Sequence, residues 1–194
     1  MIDVKELIEQ ELKTTKNEED LWQGSANQSW KLLPTPQAKG SLGTKIYKAT
    51  LEKQGKEARI ISNEGDIEWR DGPDSPWVKD EVKAASATVK RIYKGKKNEM
   101  ITEQIWVNQI RPGQKSWEGV VIVGVYPNHT KIWRKTRKNW DSDYKKLSSV
   151  QKGLKHTGQK GDEVLEQVTM VKNSKRNNFN EWECIYSDLK GDKL

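Results

Sequence analysis

The sequence ITEQIWVNQIRPGQKSWEGVVIVGVY, residues 101–126, contains two apolar runs on either side of a polar turn. The runs, residues 101–110 and 118–126, are rich in the β-branched and aromatic residues that strands favour. Residues 111–115, Arg-Pro-Gly-Gln-Lys, suit a turn because Pro restricts φ and Gly tolerates the conformations that turns require. The stretch therefore predicts two strands joined as a β-hairpin.

Upstream of this hairpin, apolar spacing predicts two helices and several short strands. Residues 1–16 form an amphipathic N-terminal helix in this interpretation, and residues 34–43, with Pro and Gly, form a loop. Strands are predicted at residues 44–51, 58–62 and 67–69. A second helix is predicted from apolar residues at helical spacing, with residues 94–98 ending it: Val78, Val82, Ala85, Val89, Ile92 and Tyr93.

Downstream of the hairpin, the pattern predicts a short strand at residues 131–134 and then a third helix. Asp141 or Ser142 would cap this helix, and Trp140 would pack beneath its first turn. Residues 164–171 and 181–186 complete the pattern as strands around a polar turn. The whole chain, 1–194, is thus predicted to be one α+β domain. Its curved, mainly antiparallel sheet of hairpins carries about three helices on one face and leaves the other face available.

The composition limits the core and the compartment. Hydrophobic residues make up 33% of the chain and nine residues are Trp, so Trp side chains must supply much of the core. Cys184 is the single cysteine, which excludes an intrachain disulfide and a thiolate metal site. With no secretory signal pattern and no apolar run of the ~20 residues that a membrane helix needs, we expect a cytoplasmic or otherwise intracellular protein. No cofactor, metal site or membrane partner is predicted.

Charge is distributed unevenly along the chain. Residues 1–89 contain 13 lysines and arginines against 16 aspartates and glutamates, a net charge of −3, whereas residues 90–194 contain 22 against 12, a net charge of +10. A concentrated positive field favours polyanions, above all RNA or DNA. An acidic protein partner is the second possibility.

The basic half also interleaves cations with aromatic rings, as single-stranded nucleic acid requires for its phosphates and unstacked bases. Trp133 is predicted at the sheet margin as the better stacking ring, and Trp140 in the core. The leading hypothesis is a non-enzymatic nucleic-acid-binding protein. Its candidate contacts are Lys90, Arg91, Tyr93, Lys96, Lys97, Lys131, Trp133, Arg134, Lys135, Arg137, Lys138, Lys172, Lys175 and Arg176.

Residues 66–83 offer an alternative, a metal-dependent nuclease. Such enzymes hold a divalent metal with carboxylates and use Pro-Asp followed by an Asp/Glu-x-Lys unit, and Pro73-Asp74 with Glu81-Val82-Lys83 has these residue types. The gap between the two parts is short, and the predicted helix would point Glu81 and Lys83 to different faces. These two points favour a solvated acidic loop. The acidic cluster comprises Asp66, Glu68, Asp71, Asp74, Asp80 and Glu81.

Two further alternatives remain open at this point. Trp69 and Trp77, with Glu68, Asp71 and Asp74 nearby, could enclose a methylated base or cap between their rings. The chain could also be an inhibitor or interaction module whose positive surface binds an acidic protein.

Overall fold

The computed structural model describes residues 22–61, 66–94, 97–110, 117–146, 155–157, 164–166, 168–171 and 182–188. They form a short 3-10 helix (Gln28–Leu32), helices α1 (Pro36–Lys53) and α2 (Arg137–Lys146), and ten strands. The strands are β1 (Glu57–Ile60), β2 (Ile67–Arg70), β3 (Val78–Lys94), β4 (Lys97–Ile110), β5 (Gly119–Val125), β6 (Thr130–Thr136), β7 (Lys155–Thr157), β8 (Val164–Glu166), β9 (Val168–Val171) and β10 (Glu183–Ser187).

The α+β class is confirmed, with two α-helices in the described part of the chain instead of the three predicted. The predicted N-terminal helix lies outside the described residues. None of the described helices is long and apolar enough to cross a membrane.

The main sheet is mixed and has the strand order β1-β2-β3-β5-β6-β10. Strands β1, β2 and β3 form an antiparallel meander, β3 and β5 are parallel, and β5, β6 and β10 are antiparallel. The predicted strands at 101–110 and 118–126 exist, but the hairpin between them is wrong. β5 pairs with β3 and β6, whereas β4 pairs with the outer part of β3 and with β9.

Helix α1 replaces the predicted loop at 34–43 and the predicted strand at 44–51. Thr35 caps it by accepting a hydrogen bond from the amide of Ala38 at 3.1 Å, and Pro36 occupies the first turn. The helix lies so close to β3 that a Cβ added to Gly43 would be 2.3 Å from Cβ of Ala84. Gly43 therefore allows α1 to pack closely on β3. The loop-like sequence around Gly43 did not reveal this role.

Strand β3 replaces the helix predicted at residues 78–93. Its first half pairs with β2 on one side and β5 on the other, and its second half pairs with β4. The spacing of the apolar residues is compatible with both the helical and the extended period. Pairing with β2, β4 and β5 stabilises the extended form. Side chains two residues apart therefore share a face here.

Both faces of the sheet centre are covered, so the prediction that one face stays available is wrong. All seven residues of β5 are buried. Val121 and Val123 pack on the α1 side with Tyr47, while Val120 and Ile122 belong to a second cluster on the opposite face.

Trp side chains supply much of both clusters, as predicted. Trp22 and Trp30 lie in the α1 cluster, and Trp117, Trp133, Trp140 and Trp182 lie in the other. Trp140 belongs to α2, which begins four residues before the predicted cap. Thr136 Oγ1 accepts a hydrogen bond from the amide of Asn139 at 3.4 Å, the spacing of an N-cap.

Candidate functional site

A polar surface occupies the face of β1, β2 and β3 that is opposite α1. Ile67 and Val82 pack towards α1, so the alternation of side chains directs their neighbours to the other face. We call this surface the polar face. It consists of Glu57, Arg59, Asp66, Glu68, Arg70, Trp77, Lys79, Glu81 and Lys83.

Asp66, Glu81 and Lys83 come together on the polar face. The amide of Asp66 donates to the carbonyl of Asp80 at 3.1 Å, and the amide of Val82 donates to Asp66 Oδ2 at 2.7 Å. These two bonds hold Asp66 beside Glu81. Nζ of Lys83 lies 2.5 Å from Oε1 of Glu81. The prediction that Glu81 and Lys83 point to different faces is therefore wrong, because they lie on a strand.

The electrostatics of this group disfavour two bare carboxylates. Burial, and then the charge of Glu81, raise the pKa of Asp66 above its usual value, against the opposing effects of the Val82 amide and of Lys83. Glu81 itself is 8% exposed. The half-buried Asp66 and the buried Glu81 therefore repel each other at a place partly removed from water, where added positive charge is stabilising.

Asp66 and Glu81 are the residues on the polar face that could hold a divalent cation. No group of three or more metal-binding side chains occurs in the part of the chain that the structure describes. Mg²⁺, however, commonly uses one or two carboxylates and completes its shell with water and substrate phosphate. Asp66 and Glu81 supply such a pair. Asp74, the aspartate of the sequence hypothesis, lies exposed in the loop between β2 and β3.

On the α1 side of β3, directly before Glu81, Asp80 is fully buried and forms an ion pair with Arg134. Nε of Arg134 donates to Oδ2 and Nη2 donates to Oδ1, both at 2.9 Å. The hydroxyl of Tyr47 and Nε1 of Trp69 also donate to Oδ2, each at 2.7 Å. Oδ2 accepts three of these hydrogen bonds and Oδ1 accepts one, so the Asp80 carboxylate joins α1, β2 and β6 to β3.

The same contacts perturb the donors. Burial, and then the charge of Asp80, raise the pKa of Tyr47 far above its ordinary value. Burial alone would lower the pKa of Arg134, but its hydrogen bonds and charge interaction with Asp80 outweigh this and raise it. Both side chains therefore keep their protons.

The structure places the predicted nucleic-acid contacts in two groups. Lys90, Arg91 and Tyr93 lie on the outer part of β3, and Lys97 begins β4. The second group lies on β6 and the first turn of α2: Lys131, Trp133, Arg134, Lys135, Arg137 and Lys138. Lys96, Lys172, Lys175 and Arg176 lie outside the described residues.

Several cations of the second group are engaged within the protein. Beyond the Arg134 pair, Lys135 forms an ion pair with Asp143, and Arg137 pairs with Asp141 at 3.0 Å and lies over the ring of Trp117. Lys138 is exposed. Contact of these residues with nucleic acid stays a prediction.

Trp133 does not lie at the sheet margin, so that prediction is wrong. Its ring is 3% exposed and packs in the cluster opposite α1, where a Cβ added to Gly124 would be 2.6 Å from the ring. β6 is flanked by β5 and β10. The cations next to Trp133 in the sequence suggested that its ring is exposed. The ring is buried because β6 lies inside the sheet.

Trp69 and Trp77, the proposed pair for a methylated base, stack on cations of the protein itself. Lys56 lies 4.0 Å from the Trp69 ring centroid, and Arg59 and Arg70 lie 4.2 Å and 4.6 Å from that of Trp77. Trp69 packs on the α1 side of the sheet and Trp77 lies on the polar face, so the two rings are on opposite faces and the prediction that they enclose one base is wrong.

Asp66 belongs to the acidic cluster named from the sequence, but the Pro-Asp pattern pointed to Asp74 as the aspartate of the site, and no sequence pattern pointed to Arg59. Asp66 is not preceded by Pro, so it does not match the Pro-Asp pattern, and Arg59 lies in the acidic half of the chain, away from the basic segments. The Asp/Glu-x-Lys unit on a strand was the available signal, and it was discounted with the helix prediction. Comparison with protein-family models, curated proteins and solved structures finds no match to this chain.

Proposed function

We propose that this chain is a metal-dependent nuclease that hydrolyses phosphodiester bonds of RNA or DNA at Asp66, Glu81 and Lys83. The observation that supports this most is the contact of a half-buried aspartate with a Glu-x-Lys unit on the adjacent strand. It is the set of groups that nucleases of this kind require, here formed by Asp66 in place of Asp74. A divalent metal held there would neutralise the phosphate and activate water.

Each side chain has a defined role in this proposal. Asp66 and Glu81 hold the cation, and the Val82 amide fixes the orientation of Asp66. Lys83 orients Glu81 and stabilises negative charge that develops on the phosphate. In the reaction, the oxygen of one water bonds to phosphorus and the bond to the leaving nucleotide oxygen breaks. One proton of the water ends on that oxygen and the other on the new phosphate or in solvent.

The basic second half of the chain complements this site. Nucleic acid is concentrated near a surface of high positive charge by counterion release, whatever its sequence. The net charge of +10 in residues 90–194 would provide this attraction, and Glu81 and Lys83 would provide the chemistry. Binding by the basic half and cleavage at the polar face are thus parts of a single function.

The test is a cleavage assay with single-stranded and double-stranded RNA and DNA, in Mg²⁺, in Mn²⁺ and with chelator. We expect metal-dependent cleavage of at least one substrate by the wild type, and loss of cleavage in Asp66→Asn, Glu81→Gln and Lys83→Ala. Asp74→Asn is the matched control and should cut normally, because Asp74 is exposed in a loop away from the pair.

Folding of the variants is checked by thermal melts without metal. Glu81→Gln removes a charge that repels Asp66 but also the charge that pairs with Lys83. These effects oppose each other, so the variant should melt cooperatively at a temperature close to that of the wild type. Binding without cleavage under every metal condition would overturn the nuclease proposal and leave the non-enzymatic binding hypothesis. Cleavage by Glu81→Gln at the wild-type rate would also overturn it.

A further inference from the structure

Arg59 is held rigidly at the outer edge of the polar face. Its Nε and Nη2 groups donate to Oε2 of Glu68 at 2.8 Å and 2.6 Å, and its guanidinium stacks on the ring of Trp77. These contacts fix a side chain that would otherwise lose much conformational entropy on binding a ligand. They leave the Nη1 group outside the pair, and 58% of the side chain is exposed.

Arg70 provides an internal comparison. It stacks on the same Trp77 ring and also forms a two-point contact with a glutamate, Glu57. Its Nη1, however, donates to the carbonyl of Pro73 at 2.7 Å, and its side chain is 22% exposed. All three nitrogens of the Arg70 guanidinium donate to acceptors of the protein. Arg59, in contrast, presents the Nη1 edge of its guanidinium to solvent.

Arg59 lies at a short distance from the proposed metal site. Arg59 pairs with Glu68 across β1 and β2, and Glu68 pairs with Lys79 across β2 and β3. Glu81 is two residues further along β3, so its Cα lies roughly 12 Å from that of Arg59, given strand spacings of about 5 Å and a rise of about 3.3 Å per residue. A nucleic-acid strand covers that distance in a few nucleotides.

The polar face is neutral as counted from its side chains, and a bound divalent cation would make it net positive. The face contains four cations, Arg59, Arg70, Lys79 and Lys83, and four carboxylates, those of Glu57, Asp66, Glu68 and Glu81. A divalent cation between Asp66 and Glu81 cancels their charge and leaves the rest of the face net positive. The metal-bound face is therefore suited to a polyanion.

From these observations we infer that Arg59 binds a backbone phosphate of the substrate, a few nucleotides from the phosphate that is cleaved. The inference rests on the proposed nuclease function. Arg59 contributes to substrate binding and does not touch the reacting atoms. The guanidinium edge suits a phosphate because its N–H groups match the phosphate oxygens.

The experiment has two parts. The first measures steady-state cleavage of an oligonucleotide. The second measures equilibrium binding of the same oligonucleotide in Mg²⁺ at several salt concentrations, in a Lys83→Ala background that retains both carboxylates. Arg59→Gln should raise KM by roughly ten-fold and leave kcat within about two-fold, since the lost contact exists before and during the reaction. The log–log salt slope of binding should fall by about 0.7 to 0.9. Arg59→Lys should keep the slope.

Arg70→Gln is the matched control, and it should leave KM and the slope unchanged even where it lowers the melting temperature. An unchanged KM and slope in Arg59→Gln, with cleavage still dependent on Glu81, would refute the role of Arg59 and leave the nuclease proposal intact. Equal losses of kcat in Arg59→Gln and Arg70→Gln would show a structural role and refute it too. Absence of cleavage in the wild type would instead defeat the nuclease proposal itself.

Discussion

Replacing Asp80 by Ala removes the acceptor that joins α1, β2, β3 and β6. The carboxylate receives hydrogen bonds from Tyr47, from Trp69 and twice from Arg134, and it has no exposure to solvent. In the variant the Arg134 guanidinium stays in a place where 15% of its side chain is exposed, without its counter-charge.

The magnitude follows from this burial. Removing one partner of a buried ion pair costs about 3 to 5 kcal/mol, because the other charge stays desolvated. In a domain of this size each kcal/mol lowers the melting temperature by about 2 to 4 °C, so Asp80→Ala should melt roughly 6 to 20 °C below the wild type.

Asp71→Ala is the control of the same residue type. Asp71 pairs with Lys56 but 68% of its side chain is exposed, so its loss should cost less than about 1 kcal/mol.

The assay is chemical unfolding and thermal melting of Asp80→Ala, Arg134→Met and the double variant. The double variant should be more stable than the sum of the single effects predicts, because neither charge is left alone. A loss of less than about 1 kcal/mol in Asp80→Ala, or additive effects in the double variant, would refute the interpretation of this pair as a coupled, desolvated unit.

Three further predictions concern other parts of the fold. Gly119→Ala should destabilise the protein by about 1 to 3 kcal/mol, because the added Cβ would lie 2.3 Å from Oδ1 of Asp80. A Cβ added at Gly40 meets no atom within 4 Å, so Gly40→Ala should stabilise α1. Equal melting temperatures of the two variants would contradict this. Trp133→Ala should cost about 3 to 5 kcal/mol of unfolding free energy in denaturant titrations, and a negligible loss would show that the ring is not in the core. Tyr47 has a raised pKa, so its stabilising effect is complete below pH 10.0 and declines above it. Wild-type stability should therefore fall more steeply than that of Tyr47→Phe between about pH 10 and 11, and parallel curves would argue against a buried, protonated phenol.

Local pattern predicted those parts of the fold whose structure depends on short segments. Residues 58–62, 67–69 and 131–134 were expected as strands, and β1, β2 and β6 are there. The apolar run at 118–126 forms β5, since a continuous run of β-branched residues suits a strand buried on both faces. The use of Trp as core material also followed from composition alone.

The failures involve contacts between distant residues. The sequence of β3 fits a helical period as well as an extended one, and only pairing with β2, β4 and β5 distinguishes them. Helix α1 contains two Gly and two Thr residues, which have low helix propensity, and it is stabilised by packing on the sheet.

The candidate site shows the same dependence. The sequence identifies Glu81 and Lys83 as a chemical unit, but the helix predicted for this segment would place their side chains on different faces. Asp66 joins them through the pairing of β2 with β3, a register that composition does not reveal. The burial of Arg134 depends on Asp80, a residue 54 positions earlier.

The parallel pairing of β3 with β5 has a consequence for the order of folding. Asp80 pairs with Gly119, and the intervening chain contains β4, so this contact closes a long loop, whereas β1, β2 and β3 are joined by short connections. Asp66 and Glu81 can therefore meet in an early meander, whereas the Asp80 carboxylate gains its ion pair only when β6 arrives with Arg134. Interactions made after the transition state govern the rate of unfolding. Loss of the Asp80 carboxylate should thus shorten the lifetime of the native state and leave the rate of folding almost unchanged.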